Sequence, residues 1–230
     1  MADHLIDEFA QQAIAKAIDA AVKEVLSEFP NHGSEEGLTP VLGHALMRQS
    51  FDLTDLRVDF NYRQLNKRTE ESFAGADGGF MVRVHTPGKL VKKAALFQAK
   101  LLKGSKPVRR LKIKSSEEAN RLSGQCNDML AHSRESVAMF YTQDEVYIVD
   151  ASHYAKTPSR SPLSTAHRLV TLGTYLGKWI PRCTKGDETQ EFISRVERPG
   201  GFTKGIEMDV LSRRDPVSWK ADTIETRWRL

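Results

Sequence analysis

The chain has 230 residues and a mass of 25.9 kDa, with 40% hydrophobic and 28% charged residues, enough for a domain with a real core and unlike disordered or collagen-like chains. The formal net charge is only +4, and Cys126 and Cys183 make no disulfide framework. No apolar run reaches the roughly 18–20 residues of a membrane helix.

The first residues, Met1 to Leu5, lack a basic stretch followed by an apolar one, so no signal peptide is expected and the cytoplasm is the expected compartment. Leu5, Phe9, Ala13, Ala17, Ala21, Val25 and Phe29 recur every four positions, and Ile6, Ile14, Ile18, Val22 and Leu26 widen the stripe. This predicts one long amphipathic helix over 3–29, packed on its own domain or docked on a partner or a second copy. Pro30-Asn31-His32-Gly33 ends it. Thr39-Pro40 reads as an N-cap followed by the first helical residue, predicting a second helix from Val41 to about Ser50.

Val58, Phe60 and Tyr62 alternate with Asp59, Asn61 and Arg63, which predicts a strand over 57–65. A second strand spans Gly79 to His85, and the apolar run Ala94 to Leu102 predicts a buried third. Ser115 or Ser116 opens a helix, with Glu118 in capping-box position. Residues 136–142 and 146–149 predict a hairpin around Gln143-Asp144-Glu145. A helix is expected from Ser164 to Trp179, and Gly201 to Leu211 returns as a strand. The order predicts an α/β fold, a central mixed β-sheet flanked by helices. Residues 1–54 form an N-terminal helical region on or extending a main domain at 55–230.

Charge is uneven along the chain. The 39 residues from Gly78 to Ser116 contain no Asp or Glu and hold 11 Lys or Arg, while the remainder has 23 basic and 30 acidic residues, or −7. Lys103, Lys106, Arg109, Arg110, Lys112 and Lys114 close this block and suit the phosphates of a nucleic acid.

The chemistry-bearing stretch is Glu71-Ser72-Phe73-Ala74-Gly75-Ala76-Asp77-Gly78-Gly79, followed by Gln98-Ala99-Lys100. Strand positions two apart share a face, so Gln98 and Lys100 point the same way. If the flanking strands pair as a hairpin, Asp77 meets them. Phosphodiester cleavage needs a hard cation to offset phosphate charge and to acidify water, and Mg²⁺ takes oxygen ligands. Asp77 and Glu71 are the candidate anionic ligands, with Glu70 a rival for Glu71, and the Ala99 carbonyl a candidate neutral one. Lys100 would stabilise charge developing on the phosphate or act on the water.

This constellation resembles the PD-(D/E)xK nuclease superfamily, and the Gln-x-Lys form resembles its Mrr-like branch, over about residues 55–150. The resemblance implies a restriction-endonuclease-like fold and Mg²⁺- or Mn²⁺-dependent hydrolysis of DNA, with RNA left open as substrate, commonly in restriction, repair or anti-phage defence. It maps a helix-borne Glu onto Glu71 and an accessory Gln onto Gln125. Gln98 in place of an acid binds Mg²⁺ more weakly and leaves a second reading. In that reading the chain is a weak or inactive nuclease-like domain that binds nucleic acid or a partner protein. A double-strand cutter is expected as a homodimer or higher oligomer. A nuclease free in the cytosol would harm its host, so control by assembly, an activating partner or a small ligand is expected.

Overall fold

The computed structural model describes residues 5–27, 35–64, 75–102, 104, 107–165, 169–182, 185–198, 201–202 and 204–213. Helix α1 (Glu8–Ser27) starts where the Asp7 carboxylate accepts the Ala10 backbone N–H at 2.5 Å, a side-chain cap. Ile14, Ile18, Ala21, Val22 and Val25 make its buried seam, while Phe9 is 67% exposed. The expected stripe is thus buried or half-buried at its described positions except Phe9. The seam is buried in the chain's own core, so it offers no apolar face to a second copy, and the dimer expectation loses that support.

Helix α2 (Glu35–Met47) begins well before Val41, so Thr39 and Pro40 lie inside it. Thr39 is a buried partner, not a cap: its hydroxyl accepts from the Tyr141 hydroxyl at 3.2 Å. The strands are β1 (Phe51–Asp52), β2 (Leu56–Gln64), β3 (Gly78–Thr86), β4 (Lys89–Leu101), β5 (Val137–Tyr141), β6 (Val146–Asp150), β7 (Val170–Thr171) and β8 (Lys204–Ser212). They form one eight-stranded mixed sheet in the order β1-β2-β8-β3-β4-β5-β6-β7. The β8/β3 and β4/β5 pairs are parallel and the others antiparallel. The last described strand, β8, therefore sits inside the sheet between β2 and β3.

Strands β3 and β4 make a hairpin turning at Pro87-Gly88, with Gly88 at φ 75. β4 starts earlier than its apolar run because the polar Lys89–Lys93 stretch pairs as well. Helix α3 (Ser116–Leu130) follows, with the Ser115 hydroxyl accepting the Glu118 backbone N–H at 3.1 Å. It provides the long crossover that the parallel β4/β5 pair requires. The remaining helices are α4 (Ala151–Lys156), α5 (Pro162–Thr165), α6 (Leu172–Thr174) and α7 (Gln190–Glu197), with a π-helical turn at Tyr175–Trp179. The single helix expected over 164–179 is thus broken. The β-branched pair Val170-Thr171 adds an edge strand to β6. Gly173 and Gly177 then press on α1: a Cβ at Gly177 would lie 2.7 Å from the Ala15 backbone nitrogen.

The core lies on both faces of the sheet. On one face α1, α2 and the π-helical turn cover Ala95, Phe97 and Ala99 of β4; on the other α3, α4 and α7 cover Ala94, Leu96 and Leu102. Burial on both faces accounts for the continuous apolar run of β4. No described helix is long and apolar enough to cross a membrane.

Asp19 on α1 is an exception at the edge of the first layer. Its Oδ1 is buried without a hydrogen-bond partner and packs against Gly173. Desolvation raises its pKa above the ordinary aspartate value, against the pull of Lys23 and Lys178. Such a carboxyl holds its proton more tightly in the folded than in the unfolded state. Stability therefore falls as pH rises from the ordinary aspartate value through the raised one. Asp19→Asn removes this loss. Its melting temperature is expected to exceed wild type near neutral pH and to match it in acid below the ordinary aspartate range, in paired thermal melts.

Candidate functional site

The hairpin register sets Gly78 opposite Phe97, which leaves Asp77, the residue before β3, opposite Gln98. The Asp77 backbone N–H donates to the Phe97 carbonyl at 3.0 Å. Its Oδ2 accepts from Gln98 Nε2 at 2.5 Å and from the Ala99 backbone N–H at 3.1 Å. The carboxylate and the carboxamide therefore meet as the sequence suggests. Lys100 follows two residues on and shares the Gln98 face. Gln98 is 2% and Lys100 4% exposed, and their same-face neighbours Leu96 and Leu102 belong to the apolar core. Buried polar groups at two positions of such a strand are costly unless satisfied. A local break in the hydrophobic pattern of this kind is where a function is to be sought.

Glycines shape the turn before β3. Gly78 and Gly79 open strand β3. A Cβ at Gly78 would strike the Lys204 carbonyl and lie 2.7 Å from the Phe97 ring; one at Gly79 would lie 2.5 Å from Phe202 Cδ1. Gly75 has φ 77, and a Cβ there would meet the Gln125 carbonyl of α3. Glycine thus lets α3 sit directly against the turn that carries Asp77. Gln125 Oε1, like Gln98 Oε1, is buried without a hydrogen-bond partner among the described residues.

The oxygen donors present suit a hard divalent cation: the Asp77 carboxylate, the Gln98 carboxamide oxygen and the Ala99 carbonyl, which lies 3.5 Å from Gln98 Nε2. A buried orphan oxygen calls for a positive or donating partner, and Gln98 Oε1 is such an atom, on a carboxamide whose Nε2 end meets the Asp77 carboxylate. The residues present fit the group on that ground. Among the described residues no three His, Cys, Asp or Glu side chains cluster as a metal site. Glu71 and its rival Glu70 lie outside the described residues, as do Lys103 and Lys106.

The basic block divides into two parts. Arg83 donates to Glu207 at 3.0 Å and Asp209 at 3.3 Å. Lys92 donates to both Glu197 oxygens at 2.8 and 2.9 Å, and this hydrogen bond holds the Glu197 carboxyl below the usual carboxylate range. Lys93 is buried and pairs with Glu188 at 2.7 Å. These cations are neutralised within the fold, so the surface is less basic than the +11 of the segment suggests. The later part differs. Leu111 and Ile113 are buried while Arg110, Lys112 and Lys114 alternate with them and face solvent, and Arg109 is exposed beside them. This ridge is pinned by the Ile113 backbone N–H on the Arg160 carbonyl at 2.7 Å and by Arg160 Nη2 on the Lys114 carbonyl at 2.9 Å.

Arg160 is an exposed cation on this ridge that sequence reasoning misses, because only the fold brings the 157–162 loop to it. Lys204 is missed for the same reason. It is buried at the start of β8, with its carbonyl and Cβ crowding Gly78. Comparisons of the chain with protein-family models, with curated proteins and with solved structures find no match.

Proposed function

We propose that this protein is a divalent-metal-dependent endonuclease acting on DNA, of the PD-(D/E)xK type with a Gln-x-Lys second motif and a restriction-endonuclease-like fold. The observation that carries the reading is the contact of the Asp77 carboxylate with the Gln98 carboxamide at the end of the β3/β4 hairpin, with Lys100 two residues on. Asp77, Gln98 and Ala99 are the residues that would hold Mg²⁺ or Mn²⁺. When bound, the cation offsets phosphate charge and acidifies water. Lys100 supplies a fixed positive charge on the same face as Gln98, able to stabilise charge that develops on a phosphate oxygen. Ala99 steadies Asp77 through its backbone N–H.

Arg109, Arg110, Lys112, Lys114 and Arg160 would follow the nucleic-acid backbone. In the triple variant Arg110→Ala, Lys112→Ala, Lys114→Ala, DNA affinity is expected to fall and its salt slope to flatten by about one unit for each phosphate left without its cation. Fluorescence anisotropy across a KCl series reads both. Unchanged affinity and slope would remove the ridge from the interface.

One observation favours the second reading, a nuclease-like domain that binds without cutting: a Gln98 N–H already occupies the Asp77 carboxylate. That reading predicts salt-sensitive DNA binding with no cleavage in either Mg²⁺ or Mn²⁺.

A further inference from the structure

We infer that the Gln98 carboxamide is a two-position group: without a cation it holds Asp77 as a donor, and with a cation it turns over and becomes a ligand. The inference rests on the metal-site reading above and adds to it how the site admits its ion. Gln98 Nε2 lies 2.5 Å from Asp77 Oδ2. Only the NH₂ end of a carboxamide can face a carboxylate oxygen at that range, so charge fixes which end is which. The same orientation leaves Oε1 buried and without a hydrogen-bond partner among the described residues. The group is therefore satisfied at one end and unsatisfied at the other.

A cation on Asp77 reverses this balance. It repels the NH₂ group and attracts the carbonyl oxygen. A half-turn about the last side-chain torsion exchanges two ends of nearly equal size, and that torsion is two-fold, so the packed side chain turns in place. Asp77 stays seated, because the Ala99 backbone N–H still donates to the same Oδ2 at 3.1 Å. The latch and the ion compete for one carboxylate. A hydrogen bond to a charged group is strong enough to lower the apparent cation affinity by about ten- to a hundredfold. A glutamate at this position donates only when protonated, so its ionised form cannot make the latch.

The experiment follows side-chain amide resonances in ¹⁵N-labelled full-length protein. The Gln98 pair is identified by its loss in Gln98→Met or, should that variant not fold, by its movement in Asp77→Asn. On titration with Mg²⁺ the Gln98 pair is expected to leave its carboxylate-bonded position together with the Ala99 backbone N–H, and Gln98→Glu is expected to bind Mg²⁺ at least about tenfold more tightly. If Ala99 responds and the Gln98 pair does not, the ion binds without the turn, and the latch is wrong while the metal site stands. Gln98→Glu binding no more tightly than wild type also overturns the latch. If neither resonance responds to millimolar Mg²⁺, the metal-site reading fails and the latch fails with it.

Discussion

Asp77→Asn and Lys100→Met are each expected to lower Mg²⁺-dependent nicking of supercoiled plasmid by about three orders of magnitude. The choice of variants follows from the geometry. Asparagine keeps an oxygen that can accept the Ala99 N–H, so the end of the hairpin keeps its shape while the charge is removed. Lys100 is buried, and methionine retains its unbranched stem without the ammonium. Both proteins are expected to melt close to wild type. Their loss of activity then reports chemistry and not unfolding. EDTA is expected to abolish cleavage by the wild-type protein. Nicking that survives both substitutions at the wild-type rate would remove these groups from the reaction.

Gly78→Ala is expected to destabilise the fold by about 3 kcal/mol. The added methyl would run into the Lys204 carbonyl and the Phe97 ring. The carbonyl cannot retreat, because β8 is paired with β2 on one side and β3 on the other. Gly124→Ala is the matched control. Gly124 is exposed on α3, and a Cβ there meets nothing within 4 Å. That substitution is expected to stabilise by up to about 1 kcal/mol through helix propensity alone. Urea unfolding of the two variants should give shifts of opposite sign. A Gly78→Ala midpoint equal to wild type would mean that β3 and β8 do not approach as closely as described.

Local signals in the sequence carry most of the site. Pro87-Gly88 lies midway between Asp77 and Gln98, so a plain hairpin brings these two residues opposite each other. Ser115 and Glu118 announce the start of α3 because capping is a contact between near neighbours. What the sequence hides depends on distant pairings. The placement of β8 between β2 and β3 has no local signature. Arg83, Lys92 and Lys93 look free in the sequence because their acidic partners stand at Glu188, Glu197, Glu207 and Asp209, a hundred or so residues on. The helix expected over 164–179 has a helical apolar pattern, but Val170-Thr171 pairs with β6 as an edge strand, so helical structure resumes at Leu172. Phe9 falls in the expected stripe, yet it alone of the described stripe residues is exposed. Glu70 and Glu71 lie outside the described residues, so the sequence alone speaks for them.

Whether Asp77 and Gln98 form a seat for a divalent ion can be read from anomalous diffraction by crystals saturated with Mn²⁺. A manganese peak is expected about 2.1 Å from an Asp77 carboxylate oxygen, with the Gln98 carbonyl oxygen turned toward it. Ordered density for Asp77 and Gln98 still joined by their hydrogen bond, with no peak beside them at saturating Mn²⁺, would contradict the seat and the chemistry built on it.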